Sequence, residues 1–213
     1  MNFYEMIPTP RRDAKILLGT TDLYPGYRII NCPVCGTRGL LPHSLCGKIP
    51  VELLVREAGY LDDIEQASTT MLFSKKVRDA VTSAELTGIE FYDPVGYRLK
   101  RDTPKFEQTL RQARDELQLK VIDVTGKGGS VAKSSEIRSL KSCNVCGWKA
   151  WTLPAHGFHV DEAQWDGTDF FQVTEFAPFF MSERAVNVLA SAGLSNFGAS
   201  RAEDYKLPPG YIE

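Results

Sequence analysis

Residues 31–42 read NCPVCGTRGLLP, and residues 142–154 read SCNVCGWKAWTLP. Each stretch spaces two cysteines three positions apart, follows them with glycine, and reaches a Leu-Pro pair at nearly the same distance. The chain has only five cysteines, and these two motifs contain four of them. Two copies of such a motif are expected to act together, and the organisation of the whole chain follows from how they meet.

The composition is that of a globular protein. The 213 residues are 43% apolar and 24% charged, with a net charge of −2. This length is enough for one large hydrophobic core or two small ones. The small net charge argues against a surface that binds nucleic acid strongly, although acidic residues are concentrated after residue 150. No stretch approaches the roughly 20 apolar residues of a membrane span.

The role expected of the cysteine motifs depends on the cellular compartment of the protein. The N-terminal sequence MNFYEMIPTPRRDAK has no basic-then-apolar signal region, so we expect a cytoplasmic protein. Thiols stay reduced there, and paired CxxC motifs in such proteins bind metal or carry out redox chemistry. A redox CxxC lies at a helix N-terminus. Both motifs here continue to Gly and then toward Leu-Pro, which favours metal binding.

Zinc prefers four soft or borderline ligands in a tetrahedron, and two CxxC motifs supply two ligands each. The sequence predicts one structural zinc ion bound by Cys32, Cys35, Cys143 and Cys146. The glycine after each pair tolerates a positive φ and lets backbone N–H groups turn toward the thiolates. A site closed by four cysteines has no open position for catalysis, so the protein is predicted not to be an enzyme.

An alternative is a pair of separate zinc sites. The first CxxC would then be completed by His43 and Cys46, and the second by His156 and His159. The spacing between these two histidines is shorter than the usual spacing in zinc fingers.

A second pair of segments also aligns. Residues 73–92, FSKKVRDAVTSAELTGIEFY, match residues 181–200, MSERAVNVLASAGLSNFGAS, without gaps. Ser74 pairs with Ser182, and each is predicted to cap a short helix. We therefore predict two related halves, about 14–100 and 119–205, joined by a helix near 104–117 that starts at Thr103-Pro104.

Short β-prone runs surround these helices, namely AKILL, GYRII, IEFY, LKVIDV and DFFQVT. They do not alternate regularly with helices, so the predicted fold class is α+β. We expect mixed sheets and short helices in a single compact unit of residues 1–213, with the two halves joined through a knuckle like that of a zinc ribbon. The stretch GKGGS at 126–130 is predicted to be a mobile loop.

Residues 160–180, VDEAQWDGTDFFQVTEFAPFF, combine acidic and aromatic side chains. One interpretation is a strand and loop with aromatics in the core and acids in water. The other is a protein-binding face, in which aromatics anchor a partner and acids steer a basic one. The candidate contact residues are Asp161, Glu162, Trp165, Asp166, Asp169 and Glu175. The acids of the segment QWDGTD are expected to be exposed in a turn.

The sequence resembles the double-CXXCG motif family, a paralogous bacterial family that includes immunity proteins against toxins delivered between neighbouring cells. The resemblance lies in NCPVCG, SCNVCG, the Leu-Pro after the second motif, and GTDFFQV with FFMSERAVNVLASAGLSNF. It implies a zinc-binding, non-catalytic protein that neutralises one cognate toxin. The acidic C-terminal residues would suit a nuclease toxin, whose substrate groove is basic.

Two other functions remain open on sequence grounds. A zinc-ribbon regulator would bind nucleic acid, and RLKRDTPK with the lysines of 127–141 could form a basic patch, although the net charge argues against it. A metalloenzyme would need an open coordination position, and the sequence has no GxSxG or HExxH motif.

Overall fold

The computed structural model describes residues 1–6, 18–20, 29–36, 38–40, 51–67, 70–147, 149–152, 157–175 and 179–204. Within these ranges the protein is α+β, with several small sheets and few helices. The predicted fold class is confirmed at this level. No helix in the described ranges is both long and apolar enough to cross a membrane.

Three α-helices occur in the described residues: α1 (Lys75–Ser83), α2 (Pro104–Arg111) and α3 (Glu183–Ser191). The two predicted serine caps are confirmed, because the side chains of Ser74 and Ser182 accept hydrogen bonds from the first turns of α1 and α3. Helix α2 begins at the predicted proline. After its last residue the chain continues as one π-helical segment, Gln112–Glu116.

The described residues form sixteen strands. They are β1 (Phe3–Met6), β2 (Leu18–Thr20), β3 (Ile29–Asn31), β4 (Arg38–Leu40), β5 (Glu52–Val55), β6 (Ile64–Ala67), β7 (Thr70–Phe73), β8 (Ile89–Tyr92), β9 (Gly96–Leu99), β10 (Lys120–Val124), β11 (Gly126–Lys127), β12 (Ser139–Ser142), β13 (Lys149–Trp151), β14 (Phe170–Gln172), β15 (Phe179–Ser182) and β16 (Ala199–Arg201). The runs IEFY, LKVIDV and DFFQVT contain β8, β10 and β14, as predicted. AKILL and GYRII fall mostly outside the described residues.

The strands form five sheets. A five-stranded sheet has the order β11-β14-β15-β1-β16, and a four-stranded sheet has the order β6-β7-β10-β8. A three-stranded sheet contains β2, β5 and β9, while β3-β4 and β12-β13 are separate two-stranded hairpins. These two hairpins carry the cysteine motifs.

The two largest sheets exchange one strand each between the N-terminal part (residues 1–100) and the C-terminal part (residues 119–204). Strand β1 lies between β15 and β16 of the C-terminal part, and β10 lies between β7 and β8 of the N-terminal part. The two exchanged strands also pair in corresponding registers. Tyr4 on β1 pairs with Met181, and Lys120 on β10 pairs with Phe73, the residue that aligns with Met181 in the repeated segments. Each part therefore completes the sheet of the other.

Asp63 links the two parts just before β6. Its carboxylate accepts hydrogen bonds from Ser74 Oγ at 2.7 Å and from the backbone N–H of Ser195 at 3.0 Å. Lys76 Nζ lies 3.9 Å from the same carboxylate and donates to the carbonyl oxygen of Gly193 at 2.6 Å. The start of α1 is thereby fixed to the loop after α3.

Asp169 makes the corresponding link just before β14. Its carboxylate accepts hydrogen bonds from Ser182 Oγ at 2.8 Å and from the backbone N–H of Thr87 at 3.0 Å. Arg184 pairs with it at 2.9 Å and also donates to the carbonyl oxygen of Ala84. The start of α3 is thus fixed to the loop after α1, so the two connections cross.

Three hydrophobic clusters form the core of the described residues. The first lies between α1 and α3 and draws on both parts of the chain, with Phe73, Val77, Phe170, Met181 and Leu189 among its buried members. The second packs under α2 around Leu53, Leu72, Phe106, Ala113 and Val121. The third contains Phe3, Phe158, Phe171, Val173 and Phe180. None of the four described cysteines belongs to these clusters.

The GKGGS stretch is a loop only in part, because its first two residues form a strand while residues 128–130 lie outside helices and strands. Gly126 and Lys127 form β11, which pairs in parallel with β14. A Cβ at position 126 would come within 2.0 Å of Thr168 Oγ1 and 2.1 Å of the carbonyl oxygen of Phe170. Glycine is needed here because two backbone segments approach closely.

Glu5 on β1 occupies the sheet position that Val121 occupies on β10. Glu5 pairs with Phe180, and Val121 pairs with Leu72, at corresponding points of the two sheets. Burial raises the pKa of Glu5 from 4.5 to about 7. The folded state therefore holds this proton more tightly than the unfolded state does. Its contribution to stability is greatest below about pH 4.5 and is lost as the pH rises to about 7.

Replacing Glu5 with the residue of the corresponding position, Glu5→Val, should stabilise the protein at pH 8. The expected gain in the free energy of unfolding is about 1–2 kcal/mol, below the full value of the pKa shift because the side chain keeps some contact with water. Urea unfolding at pH 5 and pH 8 measures it. Glu5→Gln, which removes the charge and keeps the shape, should likewise gain stability relative to the parent between pH 5 and pH 8. A variant whose advantage over the parent does not grow with pH would contradict this assignment.

Candidate metal centre

Each cysteine motif forms the turn of one hairpin. The first connects β3 to β4, and the second connects β12 to β13. In both turns the backbone N–H of the glycine donates to the carbonyl oxygen of the first cysteine, from Gly36 to Cys32 and from Gly147 to Cys143, at 2.9 Å. The φ angles of the two glycines are +71° and +73°. The positive φ expected of these glycines is confirmed.

The four cysteine sulfurs meet in one cluster. Cys32 Sγ lies 3.7 Å from Cys143 Sγ, and Cys35 Sγ lies 3.6 Å from Cys146 Sγ. All four ligand atoms lie within 4.8 Å of one another. A tetrahedron with metal–sulfur bonds of 2.3 Å has edges of about 3.8 Å. The four predicted ligands are therefore placed to hold one metal ion between two chain segments 111 positions apart.

The cluster has a buried side and an accessible side. Cys32 and Cys143 are buried, Cys35 is exposed, and Cys146 is half-buried. The backbone N–H groups of Cys146 and Val145 point to the Cys143 thiol and lower its pKa. A lower pKa favours the thiolate, which is the form that binds metal.

The alternative of two separate sites involves residues that are largely outside the described ranges, namely His43, Cys46 and His156. His159 is described and is exposed, with Nδ1 3.5 Å from Glu203 Oε1. In the part of the chain that the structure describes, the group positioned for a metal ion is the set of four cysteines. Each cysteine of the first motif lies close to a cysteine of the second, which favours a single shared site.

The aromatic residues of 160–180 belong mainly to the core. Phe170, Phe171 and Phe180 are fully buried, and Phe179 is 9% exposed. Trp165 is half-buried, stacks edge-on against Phe3 with ring centroids 5.1 Å apart, and donates its indole N–H to a backbone carbonyl oxygen. These side chains stabilise the fold and are not available as anchors for a partner.

Asp169 is not exposed, contrary to the expectation from QWDGTD. Its exposed fraction is 4%, because its carboxylate is held by Ser182, Thr87 and Arg184. Among the candidate contact residues, it is the one that the structure assigns to the buried links between the two parts.

Asp166, in the same segment, is exposed. It accepts hydrogen bonds from the backbone N–H of Lys127 at 2.7 Å and from Thr168 Oγ1 at 2.6 Å. Partial burial acts to raise the pKa of Asp166, but these hydrogen bonds outweigh it and leave the pKa below its usual value. Asp166 is therefore charged at neutral pH and accessible.

The remaining acids of this stretch hold local structure. Asp161 accepts from the backbone N–H of Ala163 at 3.2 Å, and Glu175 accepts from the backbone N–H of Val131 at 3.1 Å. Glu162 is exposed and faces the N-terminal amino group of the chain. Of the six candidate contact residues, Glu162 and Asp166 are the exposed ones.

The hairpins carry exposed apolar residues that motif analysis did not identify. Val34 and Val145, the residue before the second cysteine of each motif, are 66% and 60% exposed, and Leu140 on β12 is 63% exposed. The only sequence signal for this is the valine between the two cysteines of each CxxC.

Comparison of the sequence with protein-family models and with curated proteins gives no significant match. The metal centre is therefore assigned from the geometry of its ligands.

The purified protein should contain one metal ion per chain, measured by elemental analysis. Cys143→Ser should lose the ion, because three ligands from a tetrahedral set bind far more weakly. Cys46→Ser and His159→Ala serve as matched controls and should keep it. Two ions per chain, or loss of metal in either control, would support the split arrangement instead.

Chelation should free the hairpins without unfolding the core. The three hydrophobic clusters contain none of the described cysteines, and the exchanged strands and crossed aspartate links also lie elsewhere. Hydrogen exchange after metal removal should show lost protection in β12 and β13 but retained protection in α1 and α3. Loss of protection in all of these elements at once would mean that the metal holds the entire fold.

Proposed function

We propose that this chain is a zinc-binding immunity protein that binds a cognate antibacterial toxin in the cytoplasm and covers its active site. The observation that carries the proposal is the convergence of the two CxxC motifs on one four-cysteine cluster. Together with NCPVCG and SCNVCG, this supports kinship with the double-CXXCG motif family. A nuclease is the toxin type that best suits an acidic inhibitor.

Zinc is the metal that best suits this cluster. Four thiolates at tetrahedral spacing match the ligand set of structural zinc sites, and they leave no position for a substrate or water. Bound zinc would supply no chemistry of its own. Cys32, Cys35, Cys143 and Cys146 would hold it as a clamp between the two hairpins, in the manner of a zinc ribbon.

Two related halves provide the framework for this clamp. Their relationship is supported by the corresponding strand orders of the two largest sheets and by the crossed links of Asp63 and Asp169. The two cysteine contacts span the same number of positions. We take these features as signs of an internal duplication, with one CxxC motif in each copy.

The exposed acids supply a means of attracting a basic toxin. Glu162 and Asp166 are accessible, and Asp166 is held in its charged form by hydrogen bonds. Exposed charges of this kind mainly raise the association rate and are weakened by salt. The two acids would therefore steer the toxin toward the protein. They would not anchor it, because the neighbouring described aromatic side chains are largely buried.

A zinc-ribbon regulator that binds nucleic acid is the second candidate. One observation favours it: Arg138, Lys141 and Lys149 are exposed on the second hairpin, and Lys149 Nζ lies 5.8 Å from the centre of the Trp151 ring. The net charge of −2 favours the first candidate.

Co-expression with the product of an adjacent toxin-like reading frame tests the proposal. The parent protein should restore growth. Glu162→Lys combined with Asp166→Lys should slow association with the toxin by about tenfold, with unchanged zinc content. Its melting temperature should fall slightly, because Asp166 no longer accepts hydrogen bonds from Lys127 and Thr168. Asp169 is left intact in this variant because its carboxylate is buried.

The matched control reverses two exposed acids on and beside α2, Asp102→Lys with Glu107→Lys. This variant should bind and protect as the parent does. If the parent gives no protection and does not bind the toxin, the immunity assignment is wrong. If both charge-reversed variants bind alike, the acidic stretch is not part of the contact.

A further inference from the structure

A protein inhibitor needs apolar anchors, and burial excludes Phe170, Phe171 and Phe180 from that role, while Phe176 lies outside the described residues. Large exposed apolar side chains in the described ranges are few. They are Met1, Val34, Tyr60, Val95, Leu140 and Val145. Three of them, Val34, Leu140 and Val145, lie on the two metal-binding hairpins, and we call these three the knuckle surface.

The valines of the knuckle surface are the chain neighbours of two cysteines that lie close together. Val34 precedes Cys35 and Val145 precedes Cys146, and the sulfurs of these two cysteines are 3.6 Å apart. The two turns have the same backbone hydrogen bond and nearly the same glycine φ. Each part of the chain therefore presents one valine beside the accessible cysteines.

Leu140 lies at a register shift between β12 and β13. The register with β13 runs from Ser139 paired with Trp151 to Lys141 paired with Ala150, and it skips Leu140. A bulge of this kind redirects a side chain away from the regular alternation of a strand. Leu140 is 63% exposed, on a strand whose four residues are all exposed, and lies three residues before Cys143.

The charged residues of the two hairpin segments have one sign. Residues 29–40 and 138–152 contain four Lys or Arg residues and no Asp or Glu, in a chain whose net charge is −2. Arg138, Lys141 and Lys149 are exposed. The surface that complements this arrangement has an apolar centre and an acidic rim.

The exposed residues favour a protein over a nucleic acid as the occupant. Single-stranded nucleic acids are held by aromatic side chains on which bases stack. The knuckle surface is aliphatic, and the described aromatic ring of this hairpin, Trp151, is half-buried beside Lys149, while Trp148 lies outside the described residues.

We propose that the knuckle surface is the anchoring site for the toxin. The toxin would meet it with an apolar patch ringed by acidic residues, separate from the basic groove to which Glu162 and Asp166 are attracted. This inference rests on the proposed function for the identity of the partner. A metal ion bound by the four cysteines would then have a functional consequence, because it would hold the two hairpins in one arrangement before the toxin binds and so lower the entropy cost of association.

The test is the affinity for a catalytically inactivated form of the adjacent-frame toxin, measured by calorimetry. The triple variant Val34→Ser, Leu140→Ser, Val145→Ser removes the apolar anchors without adding charge or touching a metal ligand. Its Kd should rise by at least about tenfold. Val95→Ser, which removes an exposed valine outside the hairpins, should leave the Kd unchanged. Zinc content is measured in every variant, and Leu140→Ser alone should weaken binding measurably with its zinc retained.

A second pair of variants tests the contribution of the basic hairpin residues to toxin binding. Lys141→Glu should weaken binding, and more so at low salt, whereas Lys105→Glu on α2 should have no effect. If the parent binds the toxin and the triple variant binds equally well, this inference is overturned and the proposed function stands. If Lys141→Glu instead abolishes binding to an RNA or DNA oligonucleotide while toxin binding is intact, the surface serves nucleic acid and the inference fails. If the parent does not bind the toxin, both fail.

Discussion

The fold depends on a crosswise exchange between the two parts of the chain. Strand β1 completes the sheet of the C-terminal part, and β10 completes the sheet of the N-terminal part. Each exchanged strand is followed in the chain by a cysteine hairpin. The exchange thus joins the two parts of the chain that carry the cysteine motifs. The buried carboxylates of Asp63 and Asp169 strengthen it by joining each helix start to the loop after the other helix.

This arrangement separates stability from the metal centre. The apolar clusters lie between α1 and α3, under α2 and against the five-stranded sheet, while the cysteine hairpins form sheets of their own. On this account the metal sets the relative position of two hairpins and leaves the core to hydrophobic packing. A surface built on those hairpins would then be rigid when the ion is bound and loose when it is absent.

Local chemistry made part of this structure predictable. Cysteine spacing and metal preference indicated the four ligands, and serine capping indicated the starts of α1 and α3. The burial of Asp169 was not predictable, because its partner Thr87 is distant in sequence. The same holds for β1, whose place between β15 and β16 depends on pairing across the whole chain. The aromatic residues after Trp165 gave no local sign of whether they face the core or a partner.

The central claim is that the two parts of the chain share one metal ion. X-ray absorption at the edge of the bound metal measures the ligands directly. A single shell of four sulfur neighbours at about 2.3 Å is the predicted result for a zinc ion held by both CxxC motifs. A mixed shell of sulfur and nitrogen neighbours would contradict it. In that case the first motif would bind its own ion with His43 and Cys46, and the second motif would bind another with His156 and His159.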